Sequence, residues 1–132
     1  MIHSFNTEIA AIYGLEEAVI LNNLTFWIEK NAANGVNFND GRYWTYNSVN
    51  AFGELFPYMT KKRIYKAIKS LEDQGAILSG NYNEKAYDRT KWYALSDKYI
   101  AEARSISDFP KWENGTSQTG KCNFPNGNTY TR

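Results

Sequence analysis

At 132 residues with a 16% aromatic share, the chain has the length of one domain with a tail and enough apolar mass to bury a core without disulfides or a metal. Its single cysteine, Cys122, excludes an intramolecular disulfide, and no signal-like start or run of about 18 apolar residues is present, so a soluble cytoplasmic protein with no membrane partner is expected. The formal net charge of +1 hides an imbalance: residues 1–60 hold two basic residues against six acidic, and residues 61–132 hold thirteen against eight, an asymmetry that suits a polyanionic partner.

Asn6 or Thr7 can cap a short helix from Glu8 to Tyr13, which Gly14 breaks. Leu15 to Asn34 reads as a long helix that is apolar over most of its circumference, with Leu21, Leu24, Trp27 and Ile28 on one side and Leu15, Val19 and Phe26 partly filling the other. A helix of that kind belongs in the middle of a domain, so its aromatic residues are expected in the core. Gly35 stops it. The turn signal Asn39-Asp40-Gly41 leads into Arg42-Tyr43-Trp44-Thr45-Tyr46, which reads as a short strand. Asn47 or Ser48 then caps a brief third helix ending near Leu55, because Pro57 forces Phe56 out of helical geometry.

The most informative stretch follows. Thr60 is a good N-cap and Gly75 a usual residue just past a helix C-terminus, and between them Ile64, Ala67, Ile68 and Leu71 recur at helical spacing. Lys62, Tyr65, Lys66 and Lys69 repeat that spacing on the opposite face. A lysine face on its own serves solubility equally well. The order of charge argues for a ligand: Lys61, Lys62 and Arg63 sit at the positive end of the helix dipole and Glu72 and Asp73 at the negative end, so each misplaced charge costs roughly 0.3 to 1 kcal/mol. A phosphate backbone against the N-terminal end would cancel that cost.

Ala76 to Ser79 and Arg89 to Leu95 read as two short strands joined by a polar loop from Gly80 to Asp88. A helix, a slightly long turn, a basic helix and then a hairpin make a winged helix-turn-helix, with the hairpin as the wing. Lys85, Arg89 and Lys91 can reach phosphates from that wing, although basic hairpin loops also serve solubility alone. Trp92 and Tyr93 are expected in the core. Ser96 or Asp97 caps a final helix to about Arg104. From Ser105 to Arg132, sixteen of twenty-eight residues are Ser, Thr, Asn, Gly or Pro, which reads as a flexible polar tail carrying two Phe-Pro motifs, at Phe109 and Phe124. The expected organisation is therefore an α+β winged-helix domain over residues 1–104, with three or four helices, a short strand, the wing and a short C-terminal helix, followed by a tail over 105–132.

Catalysis is not expected. His3 is the only histidine, Cys122 has no histidine near it in sequence, and patterns for metal, nucleotide or cofactor binding are absent.

The runs Gly41-Arg42-Tyr43-Trp44-Thr45-Tyr46-Asn47-Ser48, Glu54-Leu55-Phe56-Pro57-Tyr58, Leu71-Glu72-Asp73-Gln74-Gly75 and Tyr87 through Leu95 resemble the N-terminal winged-helix domain of phage and prophage replication-initiation proteins, the replisome organisers. The resemblance spans roughly Phe5 to Ser96 and extends to the Asn-Gly-rich tail. It implies binding of double-stranded origin DNA, with the helix from Thr60 to Lys69 in the major groove and Lys85, Arg89 and Lys91 on the backbone. Within the helix, Thr60, Lys61, Lys62, Arg63, Tyr65, Lys66 and Lys69 are the candidate contacts, of which Lys62, Tyr65 and Lys66 are best placed for base edges. In that family a further C-terminal region recruits the host helicase machinery. This sequence stops at Arg132, so the expectation rests on the DNA-binding part, with a host replication protein as partner only through the tail. A homodimer would suit two half-sites, but nothing in the sequence requires one. A protein-interaction module and a transcriptional repressor are the competing readings.

Overall fold

A computed structural model describes residues 2–107; the expected tail, from residue 108 with both Phe-Pro motifs and Cys122, lies outside the described residues. One compact unit runs from Met1 to Ala101, and a second begins at Glu102, of which the described part continues the last helix. The described residues form an α+β structure of five helices and two small antiparallel sheets, and none of the helices is long and apolar enough to cross a membrane.

Helix α1 (Thr7–Tyr13) starts where the Asn6 side chain accepts the N–H groups of Glu8 and Ile9, at 2.7 and 3.2 Å, and Glu8 lies at its positive end. Gly14 separates it from α2 (Leu15–Asn34), which presents Ala18, Leu21, Leu24 and Ile28 to the core and packs against α4 and β5. The apolar side chains expected on the other side of α2 behave differently. Leu15 and Phe26 are 58% and 57% exposed and Val19 is half-buried, while Trp27, expected with Leu21, Leu24 and Ile28 on the core side, is only half-buried, with the edge of its neighbour Phe26 against it. Cover on that side comes from the N-terminal arm, where Asn22 donates to the Ser4 hydroxyl at 3.1 Å and Ile2 and His3 border a shallow pocket beside Phe26. His3 itself tethers the arm, its ring 4.9 Å from Phe56 and its Nδ1 2.6 Å from the Tyr58 hydroxyl.

The strand expected from Arg42 to Tyr46 is split. Strands β1 (Phe38–Asn39) and β2 (Arg42–Tyr43) form a hairpin of their own across Asp40 and Gly41, both at positive φ, as a type I′ turn requires. At Trp44 the chain leaves that hairpin: its N–H donates to Asn37, its carbonyl accepts from Asn31, and its buried indole donates to the Asn39 carbonyl at 2.8 Å. Strand β3 (Thr45–Asn47) then joins a second sheet of order β3-β5-β4, with β4 at Ile77–Gly80 and β5 at Lys91–Leu95. Along β5 the side chains alternate, Tyr93 reaching Phe52 in the main core and Trp92 joining Trp44, Ala94 and Tyr82 in a smaller cluster on the opposite face.

Helix α3 (Val49–Leu55), capped by the Ser48 hydroxyl on the Ala51 N–H, and helix α4 (Lys61–Asp73) are joined by the turn through Phe56 and Pro57. Helix α5 (Asp97–Ser107) runs three residues beyond the end expected at Arg104. Its start is fixed by Ser96, whose hydroxyl accepts the Tyr99 N–H and donates to the Gly75 carbonyl. The order α3, turn, α4, hairpin is compatible with a winged-helix-like fold.

Candidate nucleic-acid interface

Helix α4 is where the expected site residues converge. Thr60 caps it, its hydroxyl accepting the Arg63 N–H at 3.1 Å and keeping its own O–H as a donor. At the other end Gly75, with φ 77°, donates to Glu72 while Ala76 donates to Leu71, a Schellman close that turns the chain straight into β4. Ile64, Ala67, Ile68 and Leu71 are buried against α2 and α3, which leaves Lys62, Tyr65, Lys66 and Lys69 exposed on the far side and Lys61 and Arg63 exposed beside α3 and α2.

These six residues are not equivalent. The Arg63 guanidinium makes an ion pair with Glu16 of α2, its Nε donating at 2.7 Å, and thereby fixes α4 to the body. Lys61 donates to the Asn50 side chain of α3 at 2.7 Å, and Lys69 lies 3.3 Å from Asp73 one turn on. Lys62 and Lys66 make no ion pair among the described residues, and between them Tyr65 is 60% exposed. The backwards charge of the helix is therefore offset at Arg63, and it persists in full at Lys62.

The hairpin stem stands opposite α4 across a cleft of about 430 Å³. Phe52, Ile68 and Tyr93 form its floor, Lys69 stands on the helix wall, and Arg89 and Lys91 stand on the hairpin wall. Burial, with Glu72 and Tyr65 adding to it, pushes the Tyr93 phenol up to about 12, so it stays neutral at ordinary pH. Two carboxylates also border the cleft. Glu72 lies 4.0 Å from Lys91, and Asp88 accepts the Thr90 N–H at 3.0 Å, a bond that holds its carboxyl below the ordinary value with Lys85 adding to the effect. Lys91 is thus partly engaged, whereas Lys85 and Arg89 make no ion pair among the described residues. The structure accordingly gathers all ten sequence-derived residues onto α4 and the hairpin beside it, and separates those that anchor the helix from those that face solvent.

Sequence reasoning passed over three residues of the hairpin. Asn83 braces the loop, Tyr82 packs it against the β1–β2 hairpin, and Tyr87 projects from it between Lys85 and Arg89. An aromatic residue flanked by cations two positions away on either side was the available signal for the last. No group of histidine, cysteine, aspartate and glutamate side chains among the described residues is placed to hold a metal ion.

No family model matches the chain, and no curated protein matches it either. A solved structure described as the N-terminal domain of a DNA binding protein is similar over 82% of this chain and 87% of its own length, with a TM-score of 0.52. At 13% identity the likeness is one of fold.

Proposed function

We propose that this protein binds double-stranded DNA as a winged helix, with the outward face of α4 in the major groove and the β4–β5 hairpin against the neighbouring backbone. The observation that carries the reading is the pair Lys62 and Lys66, exposed, unpaired among the described residues and set one turn apart on the outward face of α4, with Lys62 in the first turn at the positive end of the dipole. A cation there is disfavoured by the helix and welcomed by a phosphate. The DNA-binding neighbour of similar fold supports it. The motif resemblance narrows the role to replication initiation or its control in a phage or prophage, with a cytoplasmic location and no cofactor or catalytic step. Lys62, Tyr65 and Lys66 are the residues for base edges, and Lys69, Lys85, Arg89 and Lys91 those for phosphates.

Fluorescence anisotropy with a generic duplex at several salt concentrations tests this, on the native chain and on Lys62→Glu/Lys66→Glu. Native binding should fall with salt at a slope of about −0.9 per phosphate contact, and the folded variant should lose at least about tenfold in affinity and part of that slope. Equal binding by the two proteins would refute the assignment of α4. Salt-insensitive self-association without DNA binding would favour the reading as a protein-interaction module, which the apolar floor of the cleft could serve.

A further inference from the structure

The loop over residues 81–90 is braced to an extent that a solubilising loop does not need. Asn83 holds it from within: its side chain donates to the carbonyls of Asp88 and Thr90 at 3.0 and 2.8 Å and accepts from the Trp92 indole at 2.8 Å, while its N–H donates to Asn81. Tyr82 holds it from outside, its ring 4.9 Å from Trp44 and 5.6 Å from Trp92 and its hydroxyl donating to Asp40. Gly80 seats this packing closely, because a Cβ there would lie 3.1 Å from the Tyr82 ring and 3.4 Å from Trp44. These contacts hold the loop at residues 81–83 and 88–90, and from the turn between them, closed by the Asp88 N–H donating to the Lys85 carbonyl at 3.0 Å, Tyr87 projects 76% exposed with the Lys85 ammonium 5.8 Å from its ring and Arg89 two residues on in sequence. A large exposed ring beside one cation and two residues from another, on a loop braced at its base, is arranged for a ligand with both apolar surface and negative charge.

The cleft between α4 and the hairpin indicates which part of a duplex that ligand would be. Lys69 on one wall and Arg89 and Lys91 on the other give it cations on both sides, and its two carboxylates are engaged with Lys91 and the Thr90 N–H. With α4 in the major groove, as proposed above, one phosphodiester strand crosses this cleft. Beyond a strand that borders the major groove lies the minor groove, about 6 Å wide and suited to a single inserted side chain. We propose that Tyr87 is the side chain that enters it, its ring against deoxyribose and base edges, with Lys85 and Arg89 on the flanking phosphates. This assignment rests on the duplex-binding reading and adds to it an uncharged contact in a second groove.

Charge separates the two in one experiment. Anisotropy titrations on an A·T-rich duplex at several salt concentrations are run for the native chain, Tyr87→Phe, Tyr87→Ala and Arg89→Ala, with thermal denaturation confirming that each is folded. Tyr87→Ala should weaken binding about tenfold with the salt slope unchanged, Tyr87→Phe should bind as the native chain does, and Arg89→Ala should lower the slope by about one. Filling the minor groove beforehand with netropsin should weaken the native chain and leave Tyr87→Ala nearly unaffected. Native duplex binding with Tyr87→Ala within twofold of it would overturn the Tyr87 assignment alone, as would a loss in Tyr87→Phe equal to that in Tyr87→Ala. Absence of duplex binding by the native chain would overturn the reading beneath it and this assignment with it.

Discussion

The outward face of α4 and the tip of the β4–β5 hairpin both end in exposed cations, yet they are held in place by opposite means. On α4 the spacing of the helix itself sets Lys62, Lys66 and Lys69 along one line, and the anchoring is done on the other side by Ile64, Ile68 and Leu71. In the hairpin no repeating backbone pattern supports residues 81–90, so their placement depends on side-chain amides, above all Asn83. A surface built on regular structure tolerates change at the surface, whereas one built on a side-chain network is lost with a single member. Substitutions that remove support from each region in turn put this difference to the test.

The largest effect is expected beneath α4. Leu71 is fully buried where α4 faces the rest of the core, and Leu71→Ala should destabilise the whole fold by about 2 to 5 kcal/mol, read as a lower midpoint in chemical denaturation. Asn83→Ala should cost less, roughly 1 to 3 kcal/mol, because it removes the side-chain partner of the Trp92 indole and of the Thr90 carbonyl, and one of the two donors to the Asp88 carbonyl, at a site that is only partly buried. Its signature is local: amide exchange should accelerate over residues 81–90 while the amides of α4 keep their protection. Uniform acceleration across both regions would mean that the hairpin is not a separate unit of stability, and the contrast would collapse.

The same difference governs what could be read in the sequence. α4 is legible because three independent signals agree, Thr60 as cap, Gly75 as stop and an apolar period of helical spacing, and the observed Lys61–Asp73 falls between them. α2 was located equally well, but an apolar circumference says only that a helix is a good candidate for burial. Which side faces a layer of protein depends on its neighbours, and among the described residues Phe26 borders a pocket between the N-terminal arm and Leu55 and stays largely exposed. Strands β1 and β2 have two residues each, too few to show any alternation, and the break at Trp44 depends on hydrogen bonds from Asn31 and to Asn37 and Asn39 that no local pattern announces. In the candidate site the charges were visible and their pairing was not. Arg63 meets Glu16 across 47 positions, and only the fold shows that Arg63 is an anchor while Lys62 is free to face a ligand.

That distinction leads to the smallest expected effect, and its sign is the informative part. In Lys62→Glu a cation in the first turn of α4 becomes an anion at the positive end of the dipole, and the new carboxylate stands four residues before Lys66 in the favourable orientation for an ion pair. No ion pair of Lys62 is lost among the described residues, so the substitution should stabilise the fold, by about 0.5 to 1 kcal/mol in urea denaturation at low salt and less as salt is added. The same substitution should weaken duplex binding. A variant that is both more stable and less able to bind would show that Lys62 is kept against the preference of its own helix. If Lys62→Glu instead destabilised the fold, the cation would have a structural role in the protein, and the charge order of α4 would no longer point to DNA.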